Sequence, residues 1–253
     1  IMLPTIGREF DMNQGDLSWI VSAFTLGNGS MLLLSGRTAD IFGRRLVFLC
    51  GCLWLGLWSI GCGFATTGTQ LVICRALQGV GASMTVPSAV GILASTYRRG
   101  PRRNYAFALF SAAAPVGFVT RIVLGGLFTE TIGWRWLFRF LALINCLFFV
   151  SGLYAMPQHE GHVEGERRMD VLGGILFVSG TLILTYSLSA AKFAPQGWSS
   201  PHIIILLVLS VLFFGSFIYR QSRISYPLMP LSIWSYPMFA VVMVIGFATW
   251  GSF

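Results

Sequence analysis

Long apolar runs constrain the fold of this chain more than any other feature of its sequence. A helix needs about 20 apolar residues to cross a bilayer core, and seven runs are long enough to do so. They cover residues 17–36, 46–66, 69–95, 105–128, 136–156, 171–190 and 202–219, and an eighth run begins near residue 236. Because backbone polar groups in lipid must be hydrogen-bonded within their own segment, the runs predict helices and an all-α integral membrane protein.

Composition supports the same class. Charged residues make up 10% of the 253 residues, whereas a soluble domain carries about 25%. The net charge of +8 does not indicate nucleic-acid binding, because the basic residues stand in short loops between apolar runs rather than on one face of a polar domain. We therefore expect the lipid bilayer as the environment of the chain and no nucleic-acid partner.

The basic residues also predict an orientation. The loops after the first, third, fifth and seventh runs hold eleven of them: Arg37, Arg44, Arg45, Arg98, Arg99, Arg102, Arg103, Arg167, Arg168, Arg220 and Arg223. The loops on the other side hold four: Arg8, Arg135, Arg139 and Lys192. Short cytoplasmic loops carry the excess of Lys and Arg, so the first set is predicted to face the cytoplasm.

Residues 36–45 interrupt the apolar sequence with four charges and two glycines, in the pattern G-R-x-A-D-x-x-G-R-R. Arg and Asp are costly at the bilayer centre, so this segment is predicted to be a loop outside the hydrocarbon. Asp40 and Arg44 are four residues apart, a spacing that lets them pair on one helical turn. Gly36 and Gly43 are expected to let the backbone turn tightly.

This pattern resembles the loop between the second and third spans of major facilitator superfamily transporters, and the resemblance extends over essentially the whole chain. It implies a major facilitator-type helical bundle in which the loop latches the cytoplasmic side during alternating access. The gating residues would be Gly36, Arg37, Asp40, Gly43, Arg44 and Arg45.

Arg75 lies inside the third apolar run, where an arginine needs a partner or a water-filled cavity. The spacing R-x-x-Q-G-x-G-A from Arg75 resembles the fourth-span motif of the family, which implies a role in proton coupling. Gln78 is three residues further on the same helix face, and we group it with Arg75, Gly79 and Arg121 at a proton-coupling and substrate cavity. The structural alternative for Arg75 is a side chain that snorkels to the membrane boundary.

The fourth apolar run resembles the antiporter-associated motif of the family, G-x-x-x-G-P-x-x-G-G. Gly117, Gly125 and Gly126 match it, but Arg121 stands in place of a glycine and Ile122 in place of the proline. Small residues in such a motif permit close helix packing and a bend. Two interpretations of Arg121 stay open: a charge that selects the substrate, or a change that disables the motif.

The resemblance divides the chain into four parts. Residues 1–156 would form the N-terminal transmembrane bundle, from the end of span 1 through span 6, and 157–170 a cytoplasmic loop. Residues 171–219 would form two additional linker spans, like those of the fourteen-span drug:proton antiporter family. Residues 220–253 would be a cytoplasmic loop and the start of the C-terminal bundle. Both ends look cut, with nearly all of the first span and most of the second half absent.

The resemblance implies proton-coupled export of small organic molecules, either drugs or secondary metabolites, by a monomer whose partners are a small-molecule substrate and protons. The alternative is a truncated relic of such a transporter without activity; a seven-helix receptor or a membrane-embedded enzyme fits the motifs less well. We expect neither an enzyme, nor a cofactor, nor a metal site. The plasma membrane is favoured over a vacuolar or other internal membrane. The seven runs contain no acidic residue, so a proton-carrying carboxylate is expected from elsewhere in the intact protein.

Overall fold

The computed structural model describes residues 2–156, 168–191 and 197–251, and within them the chain is helical without strands. The α-helices are α1 Met2–Phe10, α2 Gln14–Phe42, α3 Arg44–Phe64, α4 Gly68–Thr96, α5 Pro101–Thr131, α6 Trp134–Ala155, α7 Val171–Ala191, α8 Pro201–Arg223 and α9 Pro237–Gly251. Short 3-10 turns, Gly197–Ser199 and Leu231–Ser235, precede α8 and α9.

Seven of these helices, α2 to α8, are long and apolar enough to cross a membrane. This confirms the predicted class, an all-α integral membrane protein. Three helices are longer than the runs that predicted them: α2 and α4 have 29 residues each and α5 has 31. At about 1.5 Å per residue such helices exceed an apolar core of about 30 Å, so their ends reach beyond it.

The helix α4 lies at the centre of the bundle. It packs against α2 on one side and α3 on the other, and α3 packs in turn against α6. The hairpin of α7 and α8 packs against α2 through α7. In contrast, α5 lies at the margin: of its residues, all of which the structure describes, only Gly125 is buried.

The close contact between α2 and α4 depends on two glycines. A Cβ atom added at Gly27 would lie 2.1 Å from the carbonyl oxygen of Ala76, and one added at Gly79 would lie 2.2 Å from that of Phe24. Both distances are far too short for any side chain. The absence of side chains at these positions lets the two backbones touch, as is common between membrane helices.

The bundle has two ends, and a turn between helices marks each of them. The basic end holds the turn at Gly43 between α2 and α3, and the opposite end holds the connection at Ala65 between α3 and α4. Toward the opposite end, α1, α2, α3, α4 and α6 share one buried apolar cluster, formed by Ile6, Ile20, Cys62, Ala65, Leu71, Trp134 and Phe138.

Of the predicted cytoplasmic loop, residues 157–167 lie outside the described residues, as does Lys192. The four-part division of the chain stays a prediction.

Candidate functional site

The charged segment 36–45 is not the loop that its composition predicted. Helix α2 continues through it to Phe42, and α3 begins at Arg44, so Gly43 alone makes the turn. Its φ of 102° lies in the region that favours glycine. Gly36 makes no turn, because it lies inside α2, and the nearest atom to an added Cβ there is the Pro87 Cβ at an ordinary 3.8 Å. The reason is helix length: α2 is long enough to carry its charges out of the hydrocarbon without unwinding.

Asp40 and Arg44 pair across the Gly43 turn. The Oδ1 atom of Asp40 accepts hydrogen bonds from Arg44 Nε at 3.3 Å and from Arg44 Nη2 at 3.1 Å. Arg44 also donates from Nη1 to the carbonyl oxygen of Gly91 on α4, at 3.0 Å. One guanidinium therefore joins the end of α2, the start of α3 and the last turns of α4.

Two further arginines of the segment contact other helices at the basic end. Arg45 donates to the carbonyl oxygen of Leu153 in the last turn of α6, at 2.7 Å, and Arg37 donates to that of Arg168, just before α7, at 3.3 Å. The last carbonyls of a helix lack partners within it, and basic side chains satisfy them. The segment thus ties α2 and α3 to the ends of α4, α6 and α7.

Arg75 lies seven residues past Gly68, the first residue of α4, which is about 10 Å along the helix axis. Its Nε donates to the carbonyl oxygen of Ile20 on α2 at 3.2 Å, and its Nη1 to Gln78 Oε1 at 2.7 Å. The guanidinium also stacks over the Phe24 ring, 4.6 Å from its centroid. Arg75 is thus held against α2 rather than extended toward the membrane surface, contrary to the snorkelling alternative.

Gln78 and Gly79 lie on the same helix as Arg75, where Gln78 contacts α3 and Gly79 contacts α2. Gln78 is 3% exposed. It accepts a hydrogen bond from Arg75, and its Nε2 donates to Ser59 Oγ on α3 at 2.7 Å, so it links Arg75 to α3. Gly79 faces the backbone of Phe24 in the α2–α4 contact. Neither residue is among those that line the cavity between Arg75 and Arg121, so their grouping with it stays a prediction.

A cavity of about 220 Å³ lies between α1, α2, α4, α5 and α6. Arg75 and Arg121 both line it, so the structure brings these two predicted site residues together. The remaining walls are apolar: Met2, Leu3, Ile6, Ile20, Val21, Ile122, Gly125, Leu137, Phe138 and Leu141. The site is therefore a small hydrophobic space with two positive charges.

The glycines of the α5 motif do not make a close helix contact within the described part of the chain. A Cβ added at Gly117 would meet no atom within 4 Å, and one added at Gly125 would lie 3.8 Å from Met2 Sδ. Gly126 follows directly on the same helix. The packing role inferred from Gly117, Gly125 and Gly126 thus stays a prediction.

Two polar clusters escaped the sequence analysis. Asp170, 2% exposed, accepts hydrogen bonds from the Gly173 backbone N–H, Arg220 Nε and Gln221 Nε2 at 2.9, 2.8 and 2.9 Å. Asp170 directly precedes an apolar run, which is a helix-capping signal, but nothing in the sequence pointed to its partners about fifty positions away on α8.

The second cluster is at the opposite end. There Glu9 accepts a hydrogen bond from the indole N–H of Trp134, at 2.7 Å, and forms an ion pair with Arg135. The Trp134 hydrogen bond, and with a smaller effect Arg135, lower the pKa of the Glu9 carboxyl against the opposing effect of burial. The cluster fastens α1 to the start of α6.

Comparison with known proteins gives one family. The family model of the Major Facilitator Superfamily matches residues 1–253. The chain is 32% identical to the low affinity ammonium transporter of Saccharomyces cerevisiae, over 99% of this chain and 50% of that protein. It is 32% identical to the efflux pump terJ of Aspergillus terreus, over 91% and 46%. It is 34% identical to the puromycin resistance protein pur8 of Streptomyces alboniger, over 91% and 45%. The chain spans about half the length of the curated relatives it matches.

Proposed function

The chain belongs to the Major Facilitator Superfamily, and from this premise we propose that the whole protein exports small organic molecules in exchange for protons. Relatives named as an efflux pump and as an antibiotic-resistance protein support export rather than uptake. The observation that carries the proposal is Arg75, a half-buried positive charge beside an apolar cavity within a membrane-spanning helix.

Arg75 is suited to respond to a proton because its own hydrogen-bond partners are neutral. The described residues give it the Ile20 carbonyl and the Gln78 side chain, but no carboxylate. A carboxylate elsewhere in the intact protein would attract Arg75 when ionised and release it when protonated. The two interactions would differ in free energy, so protonation would shift the equilibrium between two conformations of the protein. Such a shift would couple transport to the proton gradient.

The arginines at the basic end would brace the side on which the gate must form. The bonds from Arg44 to Gly91 and from Arg45 to Leu153 join helices of the predicted N-terminal bundle, so they would stay in place when two helical halves rock about a central site. Hydrogen bonds to charged groups contribute about 1.5–3 kcal/mol each. A few such bonds would keep the helix ends of this half together at the basic end, where contacts to the other half would close the gate.

The test uses the full-length protein in everted membrane vesicles with an acidic lumen, where uptake into the vesicle reports export. Three radiolabelled probes cover the charge classes: puromycin as a cation, aminotriazole as a neutral molecule and naphthalene-2-sulfonate as an anion. We expect the wild-type protein to accumulate at least one probe above protein-free vesicles, and a protonophore to abolish the accumulation.

Arg75→Ala should lower the proton-driven rate about tenfold or more, which corresponds to the loss of one hydrogen bond to a charged group. The matched control is Arg103→Gln on α5, whose contact within the described part of the chain is the Phe107 ring, 5.6 Å from Cζ to the centroid, and this variant should transport normally. Wild-type export by Arg75→Ala under the gradient would refute its role in coupling. Accumulation of none of the probes would favour the non-transporting alternative.

A further inference from the structure

We propose that the cavity shared by Arg75 and Arg121 binds an organic anion, a molecule with an apolar body and one acidic group. The inference rests on the proposed function in taking this cavity as the site of the transported molecule. It goes beyond that function because the fold does not specify the charge of the substrate, and the ammonium and puromycin in the relatives' names are said of those proteins. The argument comes from the donors, the walls and the space around Arg121.

The described walls of the cavity hold two cations and no anion. Among the residues that line it, Arg75 and Arg121 are the charged ones, and no Asp or Glu is among its described walls. Two guanidinium groups on one apolar cavity disfavour each other and are poorly solvated there. An anion between them compensates both charges at once, whereas a cationic or neutral molecule leaves them as they are.

Both arginines have hydrogen-bond donors to spare. Arg75 uses Nε and Nη1, and its Nη2 group donates to none of the described residues. Arg121 makes no hydrogen bond or ion pair with the described part of the chain; its one contact of note is the Phe118 ring, with 5.5 Å between Cζ and the ring centroid. Planar guanidinium groups with free N–H donors match the oxygens of carboxylates, sulfonates and phosphates.

The position of Arg121 also fits a ligand site better than a structural one. It lies ten residues before Thr131, the nearer end of α5, or about 15 Å along the axis, which is far for a side chain to reach the membrane surface. Gly117 and Gly125 stand one turn before and one turn after it, on the same helix face. Neither carries a side chain, so space remains beside the guanidinium for a bound molecule.

The rest of the cavity would hold the apolar part of the ligand. Leu137, Phe138 and Leu141 of α6 form one wall, and Ile20 and Val21 of α2 form another. Small-molecule sites are mostly apolar with a few placed polar groups, and this lining follows that pattern. A volume of about 220 Å³ suits one or two aromatic rings.

The test compares two probes of nearly equal shape: naphthalene-2-sulfonate, a permanent anion, and naphthalene-2-sulfonamide, its neutral counterpart. Binding to the full-length protein in a neutral detergent is measured by equilibrium dialysis with labelled probe. We expect the sulfonate to bind about tenfold or more tightly than the sulfonamide, because hydrogen bonds to a charged group are involved. Arg121→Gln should remove that preference and Arg121→Lys should retain part of it. Arg103→Gln should bind both probes like the wild-type protein.

The outcomes separate this inference from the proposed function. Equal binding of the two probes, or a sulfonate preference that survives Arg121→Gln, would overturn the anion site even if the vesicles export puromycin or aminotriazole. Conversely, an Arg121-dependent sulfonate preference would establish the site even if no probe is transported in the vesicles. In that second case the proposed export fails and the anion site stands.

Discussion

The carboxylate of Asp170 is buried at the junction of α7 and α8, where it pairs with a half-buried arginine. Arg220→Gln would leave a buried negative charge with only the neutral donors of Gly173 and Gln221. Removing one partner of a buried pair destabilises by roughly 3–5 kcal/mol, and we expect the lower value because the Arg220 side chain is 34% exposed. Thermal unfolding of the purified protein in detergent measures the loss.

Two further variants make this prediction specific. Asp170→Asn added to Arg220→Gln should recover part of the stability, because it removes the uncompensated charge. Arg223→Gln is the matched control: this residue lies in the last turn of the same helix and stacks over Tyr219 at 5.5 Å. Its loss should change the free energy of unfolding by less than about 0.5 kcal/mol. Equal losses for Arg220→Gln and Arg223→Gln would contradict the buried pair.

At this scale the sequence predicted residues better than it predicted their partners. A charge inside an apolar run must be compensated, which together with the motif spacing indicated Arg75, and the interrupted glycine motif of α5 indicated Arg121. The partners of Arg75 could not be predicted, because Ile20 contributes a backbone carbonyl and any residue could do so. The burial of Asp170, which the sequence placed in a loop, could not be predicted either. It depends on Arg220 and Gln221, which reach Asp170 only after α7 and α8 have packed.

At the scale of helices, the contact between α2 and α4 positions Arg75 against Ile20. Gly79→Ala would place a Cβ against the Phe24 carbonyl and force the two helices apart. Overpacking of this kind destabilises by about 1–3 kcal/mol. Gly29→Ala, on α2, meets no atom of the described residues within 4 Å and should stabilise by up to about 1 kcal/mol through its higher helix propensity. Unfolding midpoints of the two variants in detergent check the opposite signs.

The double variant Gly27→Ala/Gly79→Ala extends the test. One separation of α2 from α4 would relieve both clashes, so the combined loss should be smaller than the sum of the single losses, as expected for coupled sites. Strict additivity, or a Gly79→Ala protein as stable as Gly29→Ala, would mean that the backbones do not touch.

The number and type of the helices followed from the apolar runs, but their lengths did not. The charges of residues 36–45 predicted a loop because a charged segment must leave the hydrocarbon. The helix satisfies the same requirement by extending past the membrane to Phe42 and turning at one glycine. Composition determines where a segment lies relative to lipid, whereas the continuation of a helix depends on the contacts that Arg44 and Arg45 make with α4 and α6.

At the scale of the whole molecule, charge is unequally divided between the two ends of the bundle. The loops and helix ends of the predicted cytoplasmic side hold ten described arginines, and the other side holds three. Such an excess predicts that the basic end faces the cytoplasm, and this prediction sets the orientation of every helix at once because the chain alternates between the two ends.

Cysteine labelling tests this orientation directly. The five native cysteines are unpaired and are first replaced by alanine. Arg99→Cys then puts one thiol in the exposed connection between α4 and α5, and Thr131→Cys puts one at the exposed far end of α5. An impermeant maleimide should label Thr131→Cys in intact cells if the protein lies in the plasma membrane, and Arg99→Cys only after permeabilisation. If the protein lies in an internal membrane, neither thiol reacts in intact cells, and selective opening of the plasma membrane exposes Arg99→Cys alone. Labelling in the reverse order would place the basic end outside the cytoplasm. A latch formed at residues 36–45 would then lie on the wrong side for export.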